Sequence, residues 1–335
     1  MPYLFEHATT CNTCVHGRCF EDRRNNPVRG RSTQFRLRQQ AALNCTFGDF
    51  VPGSDNDPDP GRTYEEYLTQ FRLNAMSAGQ LVHGTDFALG SAALAKVEGD
   101  IFELMEAATL WNAAADWNQF MDAGAWPSVA LTCPPGAVPT PTRKIAIVKL
   151  PRGYDTIRLF RPEVQGSIRA FEHALRLQDM ELGLSSPDII GVRLPHPLPP
   201  ELALFMSSIP NMAATNHIQL ETAHRLLEGK IESSGFLFAL AVKRTTRSDR
   251  LYQPLFEANV LKYLIEVVLR GPAFRFYAHL NSFEGADVVG HYRAASLISL
   301  ARGGTPTKAI DALYLAERPR DAAQSILDDL PRFVV

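Results

Sequence analysis

The sequence predicts an α/β protein with a central mixed β-sheet flanked by helices. Three observations carry that expectation. Four short runs rich in β-branched and aromatic residues, 144–150 (KIAIVKL), 189–194 (IIGVRL), 235–243 (GFLFALAVK) and 274–280 (FRFYAHL), are flanked by Pro or Gly and read as strands. Segments with helical spacing are interleaved with them, and one long helical run precedes them all.

In chain order, the long helix is expected from Ser91 to Met121, where Val97, Ile101, Leu104, Ala108 and Trp111 recur on one stripe. A second helix is expected over 163–178. A third begins at Pro254, a residue suited to a first turn, and runs to Arg270, where Gly271-Pro272 stops it. Further helices are expected over 307–316 and in the C-terminal DAAQSILDDL. Breaker-rich stretches at 51–62 (VPGSDNDPDPGR), 134–142 (PPGAVPTPT) and 195–200 (PHPLPP) must be loops, and none is long enough to be a linker. The reading is an N-terminal arm over 1–62 and one domain over 63–335.

At 335 residues the chain can bury a sizeable core. The N-terminus has neither a basic start nor an apolar h-region, and no apolar run could span a membrane, so a cytoplasmic protein is expected. Five cysteines and no export signal argue against a disulfide framework. Cys11 and Cys14 form a C-x-x-C near Cys19, His7 and His16, which makes zinc conceivable; no second ligand pair follows, and free thiols are the plainer reading. A net charge of −2 is not that of a non-specific nucleic-acid binder. The basic residues are instead local: Arg18, Arg23, Arg24, Arg29, Arg31, Arg36 and Arg38 crowd one segment, and Lys243, Arg244, Arg247 and Arg250 another. Solvated faces are the bland alternative for both.

The chemistry-bearing residues start with Lys243. The apolar run FLFALAVK ends in this cation, and an unpaired buried charge is costly, so it either escapes to solvent or meets carboxylates. Asp188 follows Ser186-Pro187 at the head of the strand IIGVRL, where it can meet a lysine ending a neighbouring strand. Glu257 occupies a core-facing position on the helix after Pro254; the alternative is a first-turn glutamate satisfied by the helix dipole. Glu103 flanks the stripe of the long helix, with Lys96 seven residues earlier and Gly99 between them able to admit another backbone; a solvated helix side is the alternative.

Together these residues form Pro-Asp, 54 intervening residues, a lysine on an apolar strand, 13 more residues and a glutamate. The pattern resembles the variant PD-(D/E)xK motif of type II restriction endonucleases that recognise sites with a CCGG core. The usual motif has an acid two residues before the lysine. Here that position is Ala241, and in the CCGG family the missing carboxylate comes from the following helix, at the spacing of Glu257. The resemblance extends over 25–40, 95–118, 186–188, 241–260 and 292–303, and is most specific in AVKRTTRSDRLYQPLFEANV.

The resemblance implies a PD-(D/E)xK fold, double-stranded DNA as substrate, and Mg²⁺, with Mn²⁺ as a substitute. It implies catalytic and metal-binding roles for Asp188, Glu257 and Glu103, the main-chain carbonyl of Val242 as a further ligand, and Lys243 acting at the attacking water. Arg247, Asp249 and Arg250 would read bases, since arginine pairs with guanine and aspartate with cytosine in the major groove. Arg31 and Lys96 would contact flanking bases of a longer, partly degenerate CRCCGGYG-like site. A homodimer, its further assembly into tetramers or larger species on DNA, and a partnering DNA methyltransferase in the host are also implied. The alternatives are a repair or recombination nuclease of the same fold, a DNA-binding protein that has lost catalysis, and a zinc-dependent regulator built on the cysteines.

Overall fold

The computed structural model describes residues 19–22, 35–183, 186–244, 248–272, 274–281, 288–303 and 305–333. The elements in order are β1 (Phe20–Asp22), β2 (Phe35–Leu37), α1 (Gln39–Phe47), α2 (Tyr64–His83), α3 (Ser91–Ala123), β3 (Ile145–Lys149), α4 (Pro162–Arg176), β4 (Ile189–Arg193), α5 (Ala214–Thr222), β5 (Phe236–Lys243), α6 (Ser248–Lys262), β6 (Arg275–Leu280), α7 (Val288–His291), α8 (Leu297–Arg302), β7 (Ala312–Tyr314) and α9 (Pro319–Phe333).

The main sheet has five strands in the order β3-β4-β5-β6-β7. The pairs β3–β4 and β4–β5 are antiparallel, while β5–β6 and β6–β7 are parallel. This is the mixed sheet the sequence predicts, and its four predicted strands lie within a residue or so of their expected bounds. β5 is central and buried along its length up to Lys243. A strand covered on both faces needs the continuous apolar run FLFALAV rather than an alternating one. At Gly191 on β4 a Cβ would lie 2.0 Å from the Phe238 ring, so only glycine lets that ring cross the neighbouring strand.

α2 begins with a reciprocal cap: the Thr63 hydroxyl accepts from the Glu66 N–H at 3.3 Å, and the Glu66 carboxylate accepts from the Thr63 N–H at 2.7 Å. α3 spans the predicted range and ends at Gly124 in a left-handed cap. It is buried on nearly every side from Ile101 to Ala115, not along one stripe, because the sheet, α2 and α9 all pack on it. Part of the expected 1–62 arm also enters the core: Phe47, Phe50 and Val51 are buried in it.

Three expectations need correction. Residues 307–316 are not a helix; Ala312–Tyr314 form the edge strand β7. The Asp311 carboxylate accepts from the Phe276 N–H at 2.8 Å and pairs with Lys262 at 2.8 Å, which fixes the segment extended along β6. The third helix starts at Ser248 rather than Pro254, so Pro254 is interior and Glu257 lies in the third turn, away from the helix N-terminus. The dipole alternative for Glu257 therefore falls. Finally, among the described residues nothing approaches within 4 Å of a Cβ placed on Gly99, so none of their backbone packs there.

Candidate active site

Asp188 stands immediately before β4, beside the C-terminal end of β5. Extending the β4–β5 register by one residue sets it opposite Ala241. Its backbone carbonyl accepts from the Leu150 N–H at 2.9 Å, which ties it to the end of β3. Its Oδ2 accepts from the Val242 N–H at 2.8 Å and from Lys243 Nζ at 2.6 Å. The lysine that ends the apolar strand thus meets a carboxylate and not solvent. The Lys243 carbonyl accepts from the Asn281 N–H at 3.3 Å on the β6 side. Alternation along the strand therefore turns the Val242 carbonyl toward the β4 side, where Asp188 lies.

Three acidic groups act on Lys243. Burial alone would push its pKa down; Asp188 foremost, then Glu257 and Glu103, outweigh this and hold it above the usual lysine value. Lys243 is therefore a cation at neutral pH. Glu103, on α3, is pushed up to about 7 by burial and by the Asp188 charge, against the pull of Lys149, Lys243 and Arg152. Lys149 Nζ is 3.5 Å from one Glu103 oxygen and Arg152 is 3.8 Å from the other. Glu257 is 2 % exposed and accepts from Gln253 Nε2 at 2.8 Å. Beside it Tyr292 is buried, its hydroxyl without a hydrogen-bond partner among the described residues, and burial and the Glu257 charge raise its phenol pKa.

Asp188, Lys243, Glu103 and Glu257 are thus electrostatic neighbours. Lys96 is exposed on α3. Asp249 and Arg250 lie in the first turn of α6, their side chains outside the described residues; Arg31, Arg247, Cys11 and Cys14 are wholly outside them. Lys149, Arg152 and Tyr292 are additions to the site that the sequence did not single out. Lys149, a cation near the end of a predicted apolar strand as Lys243 is, carried a signal that could have been read.

Among the described residues, no three His, Cys, Asp or Glu side chains form a ready metal cage. Lys243 already neutralises Asp188 at 2.6 Å. The donors nevertheless suit Mg²⁺, a hard cation usually held by one or two carboxylates together with waters and substrate phosphate. Burial and the Asp188 charge disfavour the charged form of Glu103, which such an ion would stabilise.

A mixed sheet with an aspartate at the head of one strand, a lysine ending the next and buried glutamates from two helices defines the restriction-endonuclease-like nucleases of the PD-(D/E)xK fold. The profile described as Cfr10I/Bse634I restriction endonuclease matches residues 62–330, and the chain belongs to that family of site-specific DNA nucleases. Among solved structures, the type IIF restriction endonuclease Bse634I with cognate DNA superposes with a TM-score of 0.73 at 19% identity, covering 93% of this chain and 97% of that one. A second Bse634I structure gives 0.71 at 18% identity, covering 95% and 97%. No protein of curated function matches. Among the described residues no helix is long and apolar enough to cross a membrane.

Proposed function

We propose that the chain is a Mg²⁺-dependent type II restriction endonuclease that cuts both strands of DNA at a palindromic site with a CCGG core, leaving 5′-phosphates. The observation that carries this is the Lys243–Asp188 pair with Ala241 opposite the aspartate and buried Glu257 supplied from α6. The carboxylate absent from the strand is present on the helix, which is the mark of the CCGG-reading variant.

Asp188, Glu257 and Glu103, with the Val242 carbonyl, would hold the metal, and Mn²⁺ would substitute for Mg²⁺. When bound, the ion supplies Lewis-acid activation of water and stabilises the leaving oxygen. Lys243 would position or deprotonate the attacking water and stabilise the scissile phosphate. Arg247, Asp249 and Arg250 read the core bases. Arg31, in an N-terminal arm over 1–62, and Lys96, exposed on α3, contact flanking bases. The resemblance of 25–40, 95–118 and 241–260 to the endonuclease SgrAI supports a CRCCGGYG-like site. A palindromic site calls for a two-fold dimer, one subunit per strand, with further assembly on DNA and a cognate host methyltransferase.

The test is digestion of DNA of known sequence in Mg²⁺, with cut ends mapped, alongside Lys243→Ala and Asp188→Ala. Cuts at CCGG cores bearing 5′-phosphates, lost in both variants and in EDTA, are expected. Absence of cleavage, cuts lacking that core, or near wild-type cutting by either variant would overturn the proposal.

A further inference from the structure

The residue after Lys243 belongs to a different constellation. Successive strand side chains point to opposite faces, so Arg244 turns away from Asp188. It meets α2 and α3 instead. Its guanidinium contacts the Glu98 carboxylate through one terminal nitrogen, and its other stands 3.5 Å from Glu65. Arg72 completes a ring, bonding Glu98 through Nε and Glu65 at 2.6 Å. Each Glu98 oxygen is thereby taken by a different arginine, and the Glu98 side chain is only 5 % exposed. Two carboxylates and two guanidiniums close a neutral network whose planar donors fix its geometry.

Arg72 already joins α2 to α3 through these same two acids. What Arg244 adds is a third element, the end of β5. Glu98 precedes Glu103 by five residues on α3, about 7.5 Å along the axis. One rigid helix therefore holds a candidate catalytic carboxylate and the anchor of the residue next to the candidate catalytic lysine.

We propose that Arg244 is a positioning residue: anchored by Glu98 and Glu65, it sets the end of β5 and so the placement of Lys243 relative to Asp188 and Glu103. The inference rests on Lys243 being catalytic. It differs from a phosphate-contacting role, which would weaken DNA binding uniformly across sequences. It differs also from a purely structural role, which would lower stability without altering the rate of the folded enzyme.

The experiment measures single-turnover cleavage of a duplex carrying the mapped site, equilibrium binding of that duplex without divalent metal, and the thermal midpoint. The variants are Arg244→Met, Arg244→Lys and Glu65→Gln, with Lys243→Ala as control. Misplacing a catalytic group by about 1 Å costs on the order of 100-fold in rate, which is the loss expected for Arg244→Met, with binding held within about threefold. Arg244→Lys, which keeps the charge but reaches one carboxylate, should recover about tenfold of that loss. Glu65→Gln, at an exposed position, should show a smaller loss of the same kind. If Arg244→Met does not fold, Arg244→Lys and Glu65→Gln decide by the same split between rate and binding. Unchanged rates, or equal losses of rate and binding, overturn the proposal. An inactive Lys243→Ala beside a normal Arg244→Met refutes the anchor alone; an active Lys243→Ala refutes the active-site reading itself.

Discussion

Replacing Glu103 with glutamine should make the metal-free protein more stable while removing its cleavage activity. Burial and the Asp188 charge carry the Glu103 carboxyl from its ordinary 4.5 to about 7. At about 1.4 kcal/mol per pH unit, that spans about 3 kcal/mol, a ceiling because the surroundings relax around an ionised carboxylate. The folded-state value is raised, so the stabilising proton is fully in place below about pH 4.5 and is lost as pH rises through 7. Above that the ionised side chain is a liability, one that Glu103→Gln does not have. For a chain of 335 residues the unfolding entropy is about 0.7 kcal/mol per kelvin, so the advantage corresponds to roughly 2–4 °C in Tm. Thermal unfolding in EDTA at pH 8 should show this gain, and at pH 5 the gain should shrink markedly. A variant melting no higher than wild type at pH 8, or by the same margin at both pH values, would refute the electrostatic account.

Asp116→Asn is a parallel case away from the Lys243 site. Burial and Asp55 raise the Asp116 carboxyl to about 7, so the amide should stabilise the protein above that pH and leave cleavage unchanged; melting curves and a cleavage assay at pH 8 check both halves. Gly191→Ala should destabilise by about 3 kcal/mol, because its Cβ would fall 2.0 Å from a fully buried ring; a denaturant midpoint that does not move would disprove the packing argument. Arg250→Ala should abolish preference for the cognate duplex, not weaken binding evenly across sequences, which competition binding against a one-base variant will show.

Strands β3 to β6 were legible because they are buried along nearly their whole length, and an apolar run bounded by breakers has few other readings. Asp188 and Lys243 were legible because a charge at the end of such a run needs an opposite partner. What escaped depended on contacts remote in sequence. The spacing of Ile310 and Leu313 suits a helix, but Asp311 bonded across to β6 outweighs that local preference. Pro254 reads as a first-turn residue, yet the helix runs through it, since six residues ahead of it join the same helix. Nothing local ties Arg244 to Glu98, which lies well over a hundred residues away in the chain. The burial of Glu103 was equally hidden, because α3 carries charge into a region that the apolar pattern describes on one side only.

β5 has an antiparallel neighbour on one side and a parallel neighbour on the other. Its tip therefore lies beside the place where β4 starts and the place where β6 finishes. The chain leaves β5 and β6 at the same rim of the sheet, and those exits can lengthen or exchange side chains without altering strand pairing. Asp188 is tethered from two sides: its carbonyl accepts from the Leu150 N–H just past β3, and its carboxylate from the Val242 N–H on β5. On the proposed reading, base selection and hydrolysis are thus encoded at neighbouring but separable points of one frame. A lineage built this way can drift in the sequence it selects while its hydrolytic chemistry is inherited intact.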